Sequence, residues 1–537
     1  VPSVRRLPGA ETAILLLLAG LTLPAWLPAA RGLLTAALDR RAWSAIPPMP
    51  WTVWGRTLVV VAVIAVLSTA LAWPLAQVLR RAGARRAALA IAPLWTPAWL
   101  IYAGLNLARA PDTLVGRAFM HWALDPANAL FGNPDNRWAI VGLGRALAVG
   151  SLVLWSVPLG ALVIAASEDP EAEAAEALLR IDRPGPIRRL LTTLRLRRRA
   201  LTFSAVCIAL LMMGSAVPLH LAQVETGSIV LWRALAERSP QLWGGVWLGA
   251  WPALTVAAAG SWWLSARVSR PPAPGLSAVG PGSPPPGRWT STTGWLVWAL
   301  GAVLPMALMA WSLDELASIG RWVRMDAEAV WTSGWIASAG GIAAAGVGVL
   351  TASAAGSDRA LARGLARWSA AAAVFGVLAP GVLVGAGIAA LNLPDAAAAV
   401  AVSAARTVFV GALAGLIVAR SEPPDERAAR ALDGAGDGWG WLRANRARAW
   451  RLALVVWLGA TALGLHEIEG AVLVRAPGAG NLPQQMLSDL HYARLEQLSA
   501  GGVAVGLAGI TLGLAAGWAM GPGLRQPRDP RGVTLSV

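Results

Sequence analysis

Lysine is absent: all 45 basic residues of this chain are arginine. A phosphate loop of the Gly-x-x-x-x-Gly-Lys-Ser/Thr type uses its lysine to reach the terminal phosphates, so no such loop exists in these 537 residues. ATP, if it is used, must be hydrolysed on another chain. Cysteine occurs once, as Cys207 within an apolar run, which excludes an intramolecular disulfide and a thiolate metal site and leaves a small apolar filler. The four histidines, His121, His220, His466 and His491, are far apart and show no metal-ligand spacing, so no metal site is expected. The 29 acidic residues are dispersed among loops, whereas a membrane-embedded enzyme would gather carboxylates or histidines at one interface.

Apolar sequence is what the chain has in abundance. It is 56% hydrophobic and 14% charged, with long runs such as Thr57–Leu79 and Ala370–Leu393. A bilayer core about 30 Å thick needs roughly 20 such residues per helix. Segments of that kind begin near Glu11, Thr52, Ala88, Arg137, Ala200, Gln241, Thr293, Trp331, Trp368, Ala396, Ala449 and Ser499. They predict an all-α integral membrane protein of about twelve transmembrane helices in two six-helix halves. The halves are residues 1–269 and 293–521, joined by a Pro/Gly/Ser-rich linker over 270–292 and followed by a tail over 522–537. The first run has a positive flank and a small-residue end, but cleaving it as a signal peptide would leave an odd number of spans. The net charge of +16 reads as a positive-inside bias and not as nucleic-acid binding, because the arginines gather on the loops of one face. With Arg5 and Arg6 on that face, both termini are cytoplasmic. The 29 tryptophans suit membrane interfaces and carry no further function.

The chain also contains a repeat. Leu159–Arg180 and Leu413–Gly434, 254 residues apart, share ten of 22 positions. Each copy is an apolar helix end, a Ser-Glu-x-Pro break, and an Ala-rich, charge-studded helix leading to an arginine cluster. Both copies lie on the cytoplasmic side, between the fourth and fifth spans of each half. Alanines keep such a helix stable and slim, and a glycine after it lets the chain turn. The flanking Glu168, Glu171, Glu173 and Glu176 in copy one, and Asp425, Glu426, Arg427 and Arg430 in copy two, are expected to offer polar contacts to a soluble partner.

These loops resemble those of the membrane subunits of binding-protein-dependent ABC importers, where Glu-Ala-Ala, three residues and Gly precede a basic stretch. The matching residues are Glu173, Ala174, Ala175, Ala177 and Leu178 in the first copy and Ala428, Ala429, Ala431, Leu432, Asp433 and Gly434 in the second. Copy one has Leu179 or Arg180 where the family has glycine. The segment His466–Ala500, with its Arg475-Ala476-Pro477-Gly478 turn and His491-Tyr492 pair, is similar to that of fused two-repeat permeases for ferric iron and related substrates. The resemblance implies a bacterial inner-membrane subunit with no cofactor of its own. It implies as partners an ATP-binding cassette homodimer docked on both loops, a periplasmic substrate-binding protein and the lipid bilayer, with no nucleic acid. Ferric iron is the first substrate it suggests; thiamine and phosphonates stay open.

Ionisable residues inside a bilayer are functional candidates. Arg145 and Arg406 fall on the fourth span of each half, either facing the pathway or snorkelling to the headgroups, and Glu467 stands at the outer mouth of the eleventh span. The rival is an ion-gradient-driven twelve-span secondary transporter, whose basic loop between the second and third spans is imitated by Arg80, Arg81, Gly83, Arg85 and Arg86. No carboxylate stands between Gln77 and Arg86 to complete that pattern.

Overall fold

Proline and glycine decide where the apolar runs become single helices and where they break. The computed structural model describes residues 8–47, 51–80, 84–110, 113–123, 125, 137–167, 175, 179, 182, 185–214, 217–237, 243–270, 288–474 and 480–520. Every element among them is helical. Up to residue 270 the main ones are α1 (Pro8–Leu38), α2 (Trp51–Leu79), α3 (Ala84–Ile91), α4 (Ala98–Asn106), α5 (Arg137–Ala166), α6 (Arg198–Met213), α7 (Gly227–Glu237) and α8 (Trp251–Ser269). From residue 288 they are α9 (Arg288–Trp311), α10 (Ala327–Gly356), α11 (Ala360–Leu378), α12 (Gly381–Ala389), α13 (Asp395–Arg420), α14 (Pro424–Leu432), α15 (Arg446–Gly464), α16 (Leu482–His491) and α17 (Leu495–Met520). Most of the linker and the whole tail lie outside the described residues.

Among the described residues eight helices are long and apolar enough to cross a membrane: α1, α2, α5, α9, α10, α11, α13 and α17. There are nine if the pair Arg86–Trp95 and Ala98–Arg109, bent by 77°, is one span. The sequence led us to expect twelve. Helices do occur at the other three expected places, each with a shortfall. α6 has 16 residues, or about 24 Å; tryptophan, serine and glycine dilute α8; α15 opens with Arg446, Arg448 and Arg451.

The run Ala370–Leu393 is not one helix. Pro380 has no N–H to continue α11 and forces Ala379 into an extended conformation (ψ 144°), so the chain restarts as α12. The same event precedes α4, where Thr96 is extended (ψ 133°) before Pro97. The two helices that follow are both nine residues long and almost wholly buried. They match in sequence as well: Pro97, Leu100, Ala103 and Gly104 correspond to Pro380, Leu383, Ala386 and Gly387. This second repeat escaped sequence reading because four identities in an apolar run do not stand out.

Packing follows from small residues. α2, α5 and α6 pack on one another, as do α10, α13 and α15. Between α10 and α13 the backbones nearly touch: a Cβ on Gly411 would lie 1.9 Å from the Ala344 carbonyl oxygen, and one on Gly415 2.4 Å from that of Gly348. The first helix of each stretch crosses to the other. α1 lies against α10, α11, α12 and α13, while α9 lies against α2, α4 and α5. Each crossing seats a proline on a buried glycine. A Cβ on Gly387 would be 2.6 Å from that of Pro28 on α1, and one on Gly104 would be 2.7 Å from the Pro305 carbonyl oxygen on α9. The last helices cross too, α8 onto α11 and α17 onto α3.

Candidate functional site

The second repeated loop is a built structure. α13 ends at Arg420, and Pro423 and Pro424 start α14, with Pro424 at a position where a missing N–H costs nothing and with Asp425 and Glu426 facing the positive helix end. Glu422, in the break between the two helices, is buried, with 2% of its side chain exposed. Its carboxylate accepts from Arg430 Nε at 3.0 Å and Nη2 at 3.1 Å, and from Asn445 Nδ2 at 3.3 Å. Such a two-pronged guanidinium contact fixes both distance and plane. Arg430, 4% exposed, also donates to the carbonyls of Ala435 and Gly356, both at 2.8 Å, and Arg427 Nη2 donates to the Ala419 carbonyl at 3.0 Å. The root of α14 is therefore tied to the ends of α10 and α13 and to the residue preceding α15.

One expectation changes here. Arg430 turns inward onto Glu422, while Arg427 reaches the same carboxylate at 3.5 Å and stays 40% exposed. The spacing carried that signal, since residues three apart share a helix face and Glu168 and Glu422 recur in the two copies. The exposed residues of the helix are Asp425, Glu426, Ala428, Ala429, Ala431 and Leu432, with Leu432 at 89%. Asp433 and Gly434 are exposed as well, and Gly434 takes a positive φ of 70° at the turn that follows. In the first copy Glu173, Ala174, Ala177 and Leu178 lie outside the described residues, as does the turn at 475–478; Ala175 is helical and half-buried.

No family model matches this chain, and no curated protein or solved structure is similar to it. The fork between Glu422 and Arg430, with the Arg427 and Arg430 bonds to the Ala419 and Gly356 carbonyls, ties α14 to the ends of α10 and α13.

The structure brings two of the three interior candidates together. Arg406 on α13 donates through Nε to Glu467 Oε2 at 3.1 Å, their side chains 14% and 13% exposed. Its Nη1 donates to the carbonyls of Gly376, Val377 and Ala379 at 3.0, 3.0 and 2.9 Å. These are orphan acceptors of the helix end that Pro380 creates, a place where a cation is favourable. Arg406 therefore does not snorkel; it caps the broken helix. Glu467 in turn accepts from the Gly470 amide at 2.8 Å and borders a cavity of about 250 Å³ that Asp395, Ser333 and Asn481 also line. Arg145 is exposed on α5 and is not part of this arrangement.

Among the described residues no three His, Cys, Asp or Glu side chains are placed to hold a metal ion. The histidines are not all dispersed in space, however. His220 precedes α7 and His491 ends α16; burial lowers the His220 pKa, and the charges of Arg233 and then His491 add to this. His466 is tied to the Trp95 carbonyl at 2.8 Å.

Proposed function

We propose that this chain is the transmembrane permease subunit of an ATP-binding-cassette importer. In this reading it moves a small solute from a periplasmic binding protein to the cytoplasm, with hydrolysis on a separate ATPase homodimer. The observation that carries the proposal is α14: a short helix clamped by Glu422 and Arg430 to the ends of two long helices, with Ala428, Ala429 and Leu432 outermost. A partner that grips this face and closes on ATP moves the bundle, and alternating access results.

The proposed architecture is six plus six. The first half is α1, α2, the bent α3–α4 pair, α5, α6 and α8. The second is α9, α10, α11, α13, α15 and α17. The matched Pro97 and Pro380 breaks and the reciprocal crossing of α1 and α9 support a pseudo-two-fold axis along the membrane normal. The end carrying α14 is then cytoplasmic, as are both termini, in a bacterial inner membrane. Ferric iron leads the substrates, on the resemblance around His466–Ala500.

The test is affinity purification from the native membrane in mild detergent. We expect an ATPase with a phosphate loop to copurify, and to be lost with Ala429→Arg or Leu432→Glu at unchanged membrane yield. Recovery of the chain alone, with transport driven by an ion gradient after reconstitution, would replace this reading with a secondary transporter.

A further inference from the structure

α6 and α8 run antiparallel and converge deep in the bundle, where a Cβ on Gly260 would be 2.7 Å from the Leu210 side chain. Toward the end that carries α14 they splay, leaving a cavity of about 500 Å³. Arg198 and Arg199, in the first turn of α6, and Arg267 and Arg270, at the end of α8, ring its outer part. One turn deeper the walls are Phe203 and Trp263, with ring centroids 5.2 Å apart, and the Arg267 guanidinium lies 5.9 Å from the centre of the Phe203 ring. The lining contains no carboxylate.

We infer that this cavity binds the headgroup of an anionic phospholipid, with a lipid of more than one negative charge favoured. Four cations with no carboxylate partner among the described residues stand at the mouth and, with the N-terminus of the 16-residue α6, suit phosphate oxygens. Basic pockets between transmembrane helices are where multiply charged headgroups bind, and the volume is that of a ligand site. The aromatic inner wall suits glycerol and the first acyl carbons, which a soluble phosphate does not possess. Tryptophan marks the depth: Trp262 and Trp263 are both exposed, at 48% and 40%, as expected at the headgroup level. A positive-inside bias alone accounts for arginines at this end but not for a cavity with an aromatic floor.

The experiment uses the whole chain in mild detergent, with thermal melts and native mass spectrometry against cardiolipin, phosphatidylglycerol, phosphatidylcholine and inorganic phosphate. Cardiolipin should be retained through purification and should raise the melting temperature, phosphatidylglycerol less so, phosphatidylcholine and phosphate not at all. Arg199→Gln/Arg267→Gln should weaken the cardiolipin effect about 30-fold, taking about 1 kcal/mol for each charge, while the melt in phosphatidylcholine stays unchanged. Arg199→Lys/Arg267→Lys, which keeps the charge and guards against a folding defect, should retain most of it. Equal stabilisation by phosphatidylcholine, or an undiminished effect in the glutamine variant, overturns the proposal. Stabilisation by inorganic phosphate that matches cardiolipin and survives Trp263→Ala assigns the site to a soluble anion and overturns the lipid.

Discussion

Arg430 shows how a single charge is used when it is turned inward. It is buried with a carboxylate and two carbonyls for company, so the pair is sustained by geometry and not by solvent. Removing one partner of a buried pair strands the other, at a cost of about 3 to 5 kcal/mol. Glu422→Ala is therefore expected to lower the thermal stability of the detergent-solubilised protein sharply. Leu432→Ala, at an exposed position, should leave it unchanged. The double variant Glu422→Ala/Arg430→Ala should cost much less than the sum of the singles, and simple additivity in that cycle would refute the clasp. In the sequence of copy one the positions aligned with Arg427 and Arg430 are Glu173 and Glu176, so neither arginine recurs opposite Glu168, the counterpart of Glu422.

At the scale of elements, α16 buries Leu482, Pro483 and Met486 and adds polar ties beside them. Gln485 donates to Asp326 at the start of α10, and Asp489, buried on the same helix, is approached by Arg494 at 3.8 Å. Burial pushes the Asp489 carboxyl above its ordinary 3.8; the Asp326 charge adds to this and Arg494 opposes it. Burial raises Asp326 too, against the Gln485 hydrogen bond. Between the ordinary value and these raised ones the folded protein holds more protons than the unfolded chain, so stability from these groups falls as pH rises through that window. Asp489→Asn should therefore be more stable than wild type at neutral pH, with the advantage shrinking on acidification. An advantage that grows as pH falls would contradict the sign. The same scale shows what composition and period reveal. The helical class and the positions of the long helices are legible because a membrane span needs only length and apolarity. The breaks at Pro97 and Pro380 are less so, since an apolar run looks the same straight or bent and the proline is its only mark. The inward turn of Arg430 and the capping by Arg406 depend on partners 8 and 61 residues away, which no local pattern announces.

For the whole molecule the reciprocal crossing of α1 and α9 is decisive. Each of these helices is seated against the other stretch through a proline on a glycine, Pro28 on Gly387 and Pro305 on Gly104. Cutting the chain between residues 271 and 287 leaves both seats intact. Coexpressed pieces 1–270 and 288–537 should therefore copurify, whereas either piece expressed alone should be degraded or aggregate, as judged by yield and gel filtration from membranes. A stable, monodisperse 288–537 piece on its own would show that α1 is dispensable to its neighbours.

That crossing also sets a timetable. α1 leaves the ribosome before the other helices described, but the surfaces it covers on α10 to α13 are synthesised some 300 residues later, about 15 to 60 s at ordinary elongation rates. Within that interval the segment Trp243–Gly249 emerges and can seat Trp247 on Gly32 of α1, whereas the contacts of α1 with α10 to α13 must wait. Among the described helices, the earliest made thus waits for partners that are among the later ones.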